Sequence, residues 1–317
     1  MPRTVQGNMY KDIVSGTAIT GLIFAAALYL PIIGFFCALF IPLPILFYRS
    51  KLGRNVGAII PVLTIMVMII VLGRILVDIF PFFAMLLLGF TLGELIEANL
   101  SVEKTILYAC SIMLLACIVG VLFYGAISNK DVILLISEYV AKNLELTMAL
   151  YEGMGVSEES IQLISGSLDR IHYVMLRILP ALIVSSTLFA AWVSLLLAKP
   201  MLKSRTLFYP DYGSLNAWKA PEYLVWGIIG CGLVLLLSDG ALKMIGLNGL
   251  IILMTVYFFQ GIAIMAFYFE KKRFPRVLRI FIYSLIAVQQ IMLFIVIGLG
   301  FFDIWLNFRR LGKENNS

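Results

Sequence analysis

Arg74 and Asp78 stand four residues apart inside an otherwise apolar run, so a helix would carry both on one face and pair them along its axis. A charge at the centre of a membrane span costs roughly 2.5 to 3.5 kcal/mol on insertion scales, so each one calls for a partner or a function. His172 and Arg177 lie about one turn inside another apolar run, just after Asp169 and at a similar depth. The bland reading is a self-neutralising Arg74–Asp78 pair at the outer interface. The sharper one joins Arg74, Asp78, His172 and Arg177 into an outward-facing polar pocket for a small-molecule ligand. Glu94 and Glu97, three apart after Gly89 and Gly93, read first as a solvated or hydrogen-bonded helix face, with a proton or cation site at Glu94 as the sharper alternative. Gln260, Gln289 and Gln290 are buried-amide candidates that cross-link helices, worth about 0.6 to 2 kcal/mol each.

Recognisable catalytic chemistry is missing from the pattern. There is no HExxH, GxSxG or GxxxxGK[ST], and one histidine cannot make a zinc site unaided. Cys37, Cys110, Cys117 and Cys231 all sit in apolar runs without paired spacing, which makes them packing residues. The chain therefore reads as a non-enzyme with no cofactor and no metal.

The elements that must position these groups are membrane helices. Of 317 residues 62% are hydrophobic and only 13% charged, against about 25% charged in a soluble domain. Mean hydropathy is +1.01. The formal charge of +6 comes from basic residues in short loops flanking apolar runs, which is a topology signal rather than a nucleic-acid footprint. No nucleic-acid partner is expected. At about 20 residues per span, the runs predict an all-α, polytopic bundle of about nine spans, with the N-terminus and the Arg49, Lys51, Arg54 loop cytoplasmic. The first run shows no clear cleavage signature and is expected to be retained.

Between the fifth and sixth runs, the segment 128–171 carries seven acidic residues and few basic ones, as an external segment would. Asp131, Glu138, Lys142, Glu145 and Glu152 share one helical face, predicting an amphipathic helix ended by Gly153 and Gly155. Ser157, followed by Glu158 and Glu159, predicts the start of a second helix. The division is then a six-span membrane unit over 1–203, a cytoplasmic linker over 204–221 and a three-span unit with its tail over 222–317. The ninth span, about Ile280 to Phe301, leaves the tail outside by this count, against the preference of Arg309, Arg310 and Lys313 for the inside.

Three stretches carry a family resemblance: Leu215–Glu222, with Asn216, Trp218, Lys219, Pro221 and Glu222; Tyr257–Gly261, with Gln260; and Phe302–Arg310, with Asp303, Trp305 and Arg309. In these the chain resembles the YybS-like bacterial membrane proteins, a domain of unknown function numbered 2232. The resemblance covers essentially the whole chain and implies a multi-pass protein of the bacterial cytoplasmic (inner) membrane. It carries no activity. The amino-terminal six spans also resemble the substrate-capturing S components of energy-coupling-factor transporters, where a small-residue face on the first helix meets a coupling subunit; Gly21 and Ala25, with Ala18 nearby, would form it here.

Two functional classes follow. One is a transport-type subunit that captures a small molecule from outside. The other is a structural or interaction protein of an envelope or division assembly, docking a membrane or cytoplasmic protein partner through the stretch 204–226. The lipid bilayer is a partner in both.

Overall fold

The computed structural model describes residues 8–30, 33–72 and 80–309. In chain order its helices are α1 (Met9–Tyr29), α2 (Ile33–Ala38), α3 (Pro42–Leu52), α4 (Arg54–Gly57), α5 (Ile59–Leu72), α6 (Phe80–Glu97), α7 (Val102–Ser128), α8 (Val132–Gly153), α9 (Glu158–Ser165), α10 (Leu168–Ser204), α11 (Leu224–Leu237), α12 (Gly240–Lys271), α13 (Arg276–Val288) and α14 (Gln290–Leu306), with a 3₁₀ turn at Leu215–Ala217. No strand occurs among the described residues. The all-α polytopic bundle is the architecture found.

Five described stretches are long and apolar enough to cross a membrane: α1, Arg54–Val71, α7, α10 and α12. The bent pair α13–α14 makes six if it counts as one span, and α11 is a shorter apolar helix.

The contacts group the chain into two compact units, residues 1–130 with 186–212, and residues 131–185 with 213–317. In the first, Ile41, Ile45, Tyr48, Ile60 and Leu86 form a buried cluster that joins α3, α5 and α6. The α1 helix joins it through Tyr48 Oη, which donates to Ser15 Oγ at 3.0 Å, and through the Lys51–Asp12 ion pair at 2.6 Å. Gly21 has open space beside its Cα, whereas Ala25 packs onto the buried Phe24–Met68 pair. In the linker, Tyr209 Oη donates to Leu195 O, and Tyr212 meets Thr105. Burial pushes both phenols above their ordinary pKa, and the nearby Tyr212 pushes Tyr209 further while the Thr105 hydrogen bond opposes the shift at Tyr212.

The stretch 42–54 departs from expectation. It is not a loop after prolines; Pro42 and Pro44 open α3, because proline fits a first helical turn whose amides are unpaired anyway. Arg49 is thereby buried inside the unit at 2% side-chain exposure. Its Nε and Nη2 reach Glu94 Oε1 at 2.8 Å, its Nη1 reaches Glu97 Oε1 at 2.6 Å, and Nη1 also donates to Gly93 O at 3.0 Å. Gly93 admits it: a Cβ there would fall 2.7 Å from Arg49 Cδ. Glu94 and Glu97 are therefore the partners of an arginine that their own helix does not contain. Arg49→Met should cost about 2 to 3 kcal/mol, less than a fully buried pair because both carboxylates keep some water contact. Arg49→Lys should recover only part, since one ammonium cannot serve two carboxylates and a carbonyl at fixed angles. Thermal unfolding in mild detergent reads both; equal midpoints for Arg49→Met and the parent would refute the assignment.

In the second unit, α8 is capped by Asp131, which accepts from Ile133 N at 3.2 Å, and it ends at Gly153; Ser157 caps α9 by accepting from Ser160 N. These agree with the expected amphipathic pair. The ninth run does not form one continuous span. Gln289 is extended, at φ −99° and ψ 111°, and α13 and α14 meet there at 105°. Gln289 and Gln290 are exposed at this break rather than bridging helices.

Candidate functional site

Within the second unit, α14 is pressed onto α12 at two glycines. A Cβ on Gly300 would collide with Tyr257 O and sit 2.9 Å from Gly261 N, and one on Gly261 would collide with Val296 O and lie 2.7 Å from Val296 Cγ1. Backbones come this close only where side chains are absent. The approach sets Gln260 beside Asp303, and the polar groups around them close into one knot.

Gln260 Nε2 donates to Asp303 Oδ2 at 3.2 Å, while Gln260 Oε1 accepts from Ala220 N at 3.1 Å. The α14 helix ends at Asn307, whose φ of +42° is the left-handed conformation that asparagine tolerates at a helix end. That turn folds the chain back so that Phe308 N donates to Asp303 Oδ1 at 2.9 Å and Arg309 Nη2 reaches Asp303 Oδ2 at 2.8 Å. Arg309 Nη1 then donates to Asn216 O at 2.9 Å and Trp218 O at 2.8 Å. The Asp303 and Arg309 side chains are both at 0% exposure. One carboxylate, one guanidinium and one amide thus hold the segment 216–220 against α12 and α14. Around them Ala220, Val225 and Tyr257 form the apolar wall, with Trp218 packed on it.

At the rim, Lys219 Nζ donates to Asn307 Oδ1 at 3.1 Å, Asn216 Nδ2 donates to Glu270 Oε2, and Tyr268 Oη donates to Phe308 O at 2.8 Å. Pro221 and Glu222 form the turn into α11, with Pro221 O accepting from Leu224 N at 3.1 Å. Trp305 is exposed and stacks edgewise on Phe301. The structure therefore gathers Asn216, Trp218, Lys219, Gln260, Asp303 and Arg309 from three distant stretches, with Pro221, Glu222 and Trp305 at the margins.

The same contacts hold the start of the tail within the second unit. Phe308 and Arg309 meet the end of α12 and the 216–220 segment, so both ends of the bent pair α13–α14 lie at the end of α12 that leads into Lys271–Arg279. Bent by 105°, the pair is either a broken span or a re-entrant loop.

The pocket candidates fare differently. Arg74 and Asp78 lie outside the described residues. His172 Nε2 sits 3.1 Å from Ser137 O and 3.3 Å from Ser137 Oγ. The Arg177 guanidinium lies 3.2 Å over the Tyr173 ring and donates to Tyr173 O. His172 and Arg177 thus turn to different neighbours. Sequence reasoning missed Asn248, whose Nδ2 donates to Arg177 O and whose Oδ1 accepts from Ala181 N, both at 2.9 Å. Pro180 disturbs the α10 ladder here, and Asn248 clamps the carbonyl and amide that flank it. A lone asparagine in an apolar helix was the signal. Among the described residues no three His, Cys, Asp or Glu side chains converge as a metal set.

Comparison with known proteins agrees with the resemblance carried by the knot residues. Residues 18–304 match the family described as "Predicted membrane protein (DUF2232)". The chain is also 24% identical over 300 residues to "Uncharacterized protein YybS" of Bacillus subtilis (strain 168), covering 90% of this chain and 92% of that one. No solved structure matches. The chain belongs to the DUF2232 family of membrane proteins.

Proposed function

We propose that this multi-pass membrane protein is a non-catalytic structural and interaction subunit of the bacterial cytoplasmic membrane, with its N-terminus inside. It would offer the segment 213–223 as a ready-formed docking face to a membrane or cytoplasmic protein. The carrying observation is the Arg309–Asp303–Gln260 knot. A loop of this kind would ordinarily lose about 1 to 2 kcal/mol per residue of backbone entropy when a partner orders it. Held in place beforehand by two buried charges and an amide, it binds without that loss. Burying an ion pair is a poor route to stability alone, and its better-attested use is to specify one arrangement. Lys219, Glu222 and Tyr223 remain exposed on the held segment.

The test is photo-crosslinking in cells from position 219. A discrete protein adduct is expected, and Asp303→Ala should remove it at equal membrane abundance. No adduct, or one indifferent to Asp303, would sink this reading.

A second reading, capture of a small molecule from outside in the manner of a transporter S component, draws support from Arg177, which has no carboxylate partner among the described residues. Native mass spectrometry of the detergent-purified chain separates the two. A retained small molecule lost in Arg177→Gln favours capture, and a co-purifying protein favours docking.

A further inference from the structure

We propose that the corner of the second unit between α12 and the bent α13–α14 pair is a binding site for one anionic phospholipid of the surrounding leaflet. It would take an acyl chain into an apolar slot and the phosphate onto Lys272 and Arg276. The slot has a volume of about 220 Å³ and is lined by Ile264, Met265, Phe269, Phe274, Leu299 and Phe308, with Tyr268 and Lys272 completing it. It is smaller than the roughly 300 to 1,000 Å³ usual for a drug-sized ligand, which suits a single chain rather than a bulky molecule. The hydroxyl of Tyr268, one of its lining residues, is already spent on Phe308 O. An occupant of the slot body therefore has to be apolar.

The mouth of the slot points to the other half of the ligand. Lys271, Lys272, Arg273, Arg276 and Arg279 crowd nine residues of chain, and only Arg279 among them is more than marginally buried. Arg279 bonds two neutral carbonyls, Phe274 O at 2.9 Å and Phe269 O at 3.0 Å, and so closes the end of α12. Lys271 rests 5.5 Å over the Phe267 ring. The one carboxylate in the turn before them, Glu270, accepts from the Asn216 amide and offsets one of these five positive charges. An excess of positive charge thus faces outward at the entrance to an apolar slot. Beside it α13 exposes Val277, Ile280, Phe281 and Val288, recurring at helical spacing, at 62% or more. That stripe needs lipid against it, which places acyl chains next to the slot. Charge above, apolar depth below and a lipid-facing wall alongside match an acidic phospholipid and no soluble anion.

The experiment uses the full chain purified in mild detergent and titrated with phosphatidylglycerol or phosphatidylcholine, with adducts counted by native mass spectrometry. One phosphatidylglycerol should bind in preference to phosphatidylcholine, and excess inorganic phosphate should not displace it. Lys272→Gln with Arg276→Gln should weaken the adduct by about 10-fold or more, since each basic group near an anionic surface contributes severalfold. Met265→Trp, which fills the slot and leaves every charge in place, should weaken it comparably while thermal unfolding confirms that the chain is folded. Equal binding of the two lipids would overturn the proposal. So would displacement by phosphate, or an unchanged adduct in folded Met265→Trp.

Discussion

Asp303→Ala should unfold the carboxyl-terminal unit about 3 to 5 kcal/mol more readily than the parent and release the 213–223 segment to protease. Arginine cannot shed its charge to suit an apolar site, so Arg309, at 0% side-chain exposure, would be left buried and unpaired. The loss spreads. Gln260 Nε2 and Phe308 N both donate to the same carboxylate, and each would lose its acceptor in a place where water does not substitute. Once Arg309 turns away, Asn216 O and Trp218 O lose their donor, and the 216–220 segment keeps the exposed Lys219–Asn307 bond to the end of α14. Trypsin should then cut after Lys219, which the parent holds in a fixed turn. Asp303→Asn should fall between the two, because an amide keeps one acceptor oxygen and loses the charge. The double variant Asp303→Leu, Arg309→Met removes both charges and should recover much of the stability. If trypsin still cuts it rapidly, the knot's value lies in holding the segment rather than in net stabilisation. A single Asp303→Ala as stable and as resistant as the parent would remove the basis for the docking reading.

How the knot was and was not legible follows from its separations. The three stretches stand out in sequence as polar groups at the ends of apolar runs, and the resemblance marks nearly every residue in the knot. What no local pattern contains is that Arg309 reaches carbonyls some ninety residues earlier. The same holds for Arg49. Read locally, it is one of three basic residues after two prolines and so a loop charge. Its burial depends on Gly89 and Gly93 of α6, where a Cβ would strike Pro42 O and Arg49 Cδ respectively. The glycines and the two glutamates were visible, and the arginine that explains them was not. Periodicity did better where burial is one-sided: the acidic face of α8 and the Ser157 cap of α9 needed no tertiary partner to be read. The bend at Gln289 was foreshadowed by two adjacent amides in the middle of an apolar run. Hydropathy averages over such a pair, so the run reads as one straight span.

Gly300→Ala should be among the most damaging single-carbon changes in the described chain, and Gly298→Ala, two residues away, should be harmless. At Gly300 the new Cβ would overlap a backbone carbonyl of α12, which cannot rotate out of the way as a side chain can. The helices would have to part. Overpacking of this kind costs typically 1 to 3 kcal/mol, and here about 3 kcal/mol is expected because the atom struck belongs to a rigid helix. Parting α12 from α14 also stretches the Gln260–Asp303 bond, already 3.2 Å, so the knot should loosen with the interface. Gly298 has open space beside it. Alanine there removes only glycine's helix penalty and should raise stability by up to about 1 kcal/mol. The opposite signs make the comparison decisive, since a general sensitivity of α14 to alanine would move both variants the same way. Thermal midpoints in one detergent, read together with trypsin cleavage after Lys219, report the interface and the knot at once. Gly300→Ala that lowers the midpoint and leaves Lys219 protected would separate the two, and would mean that the 216–220 segment is held by α12 rather than through α14.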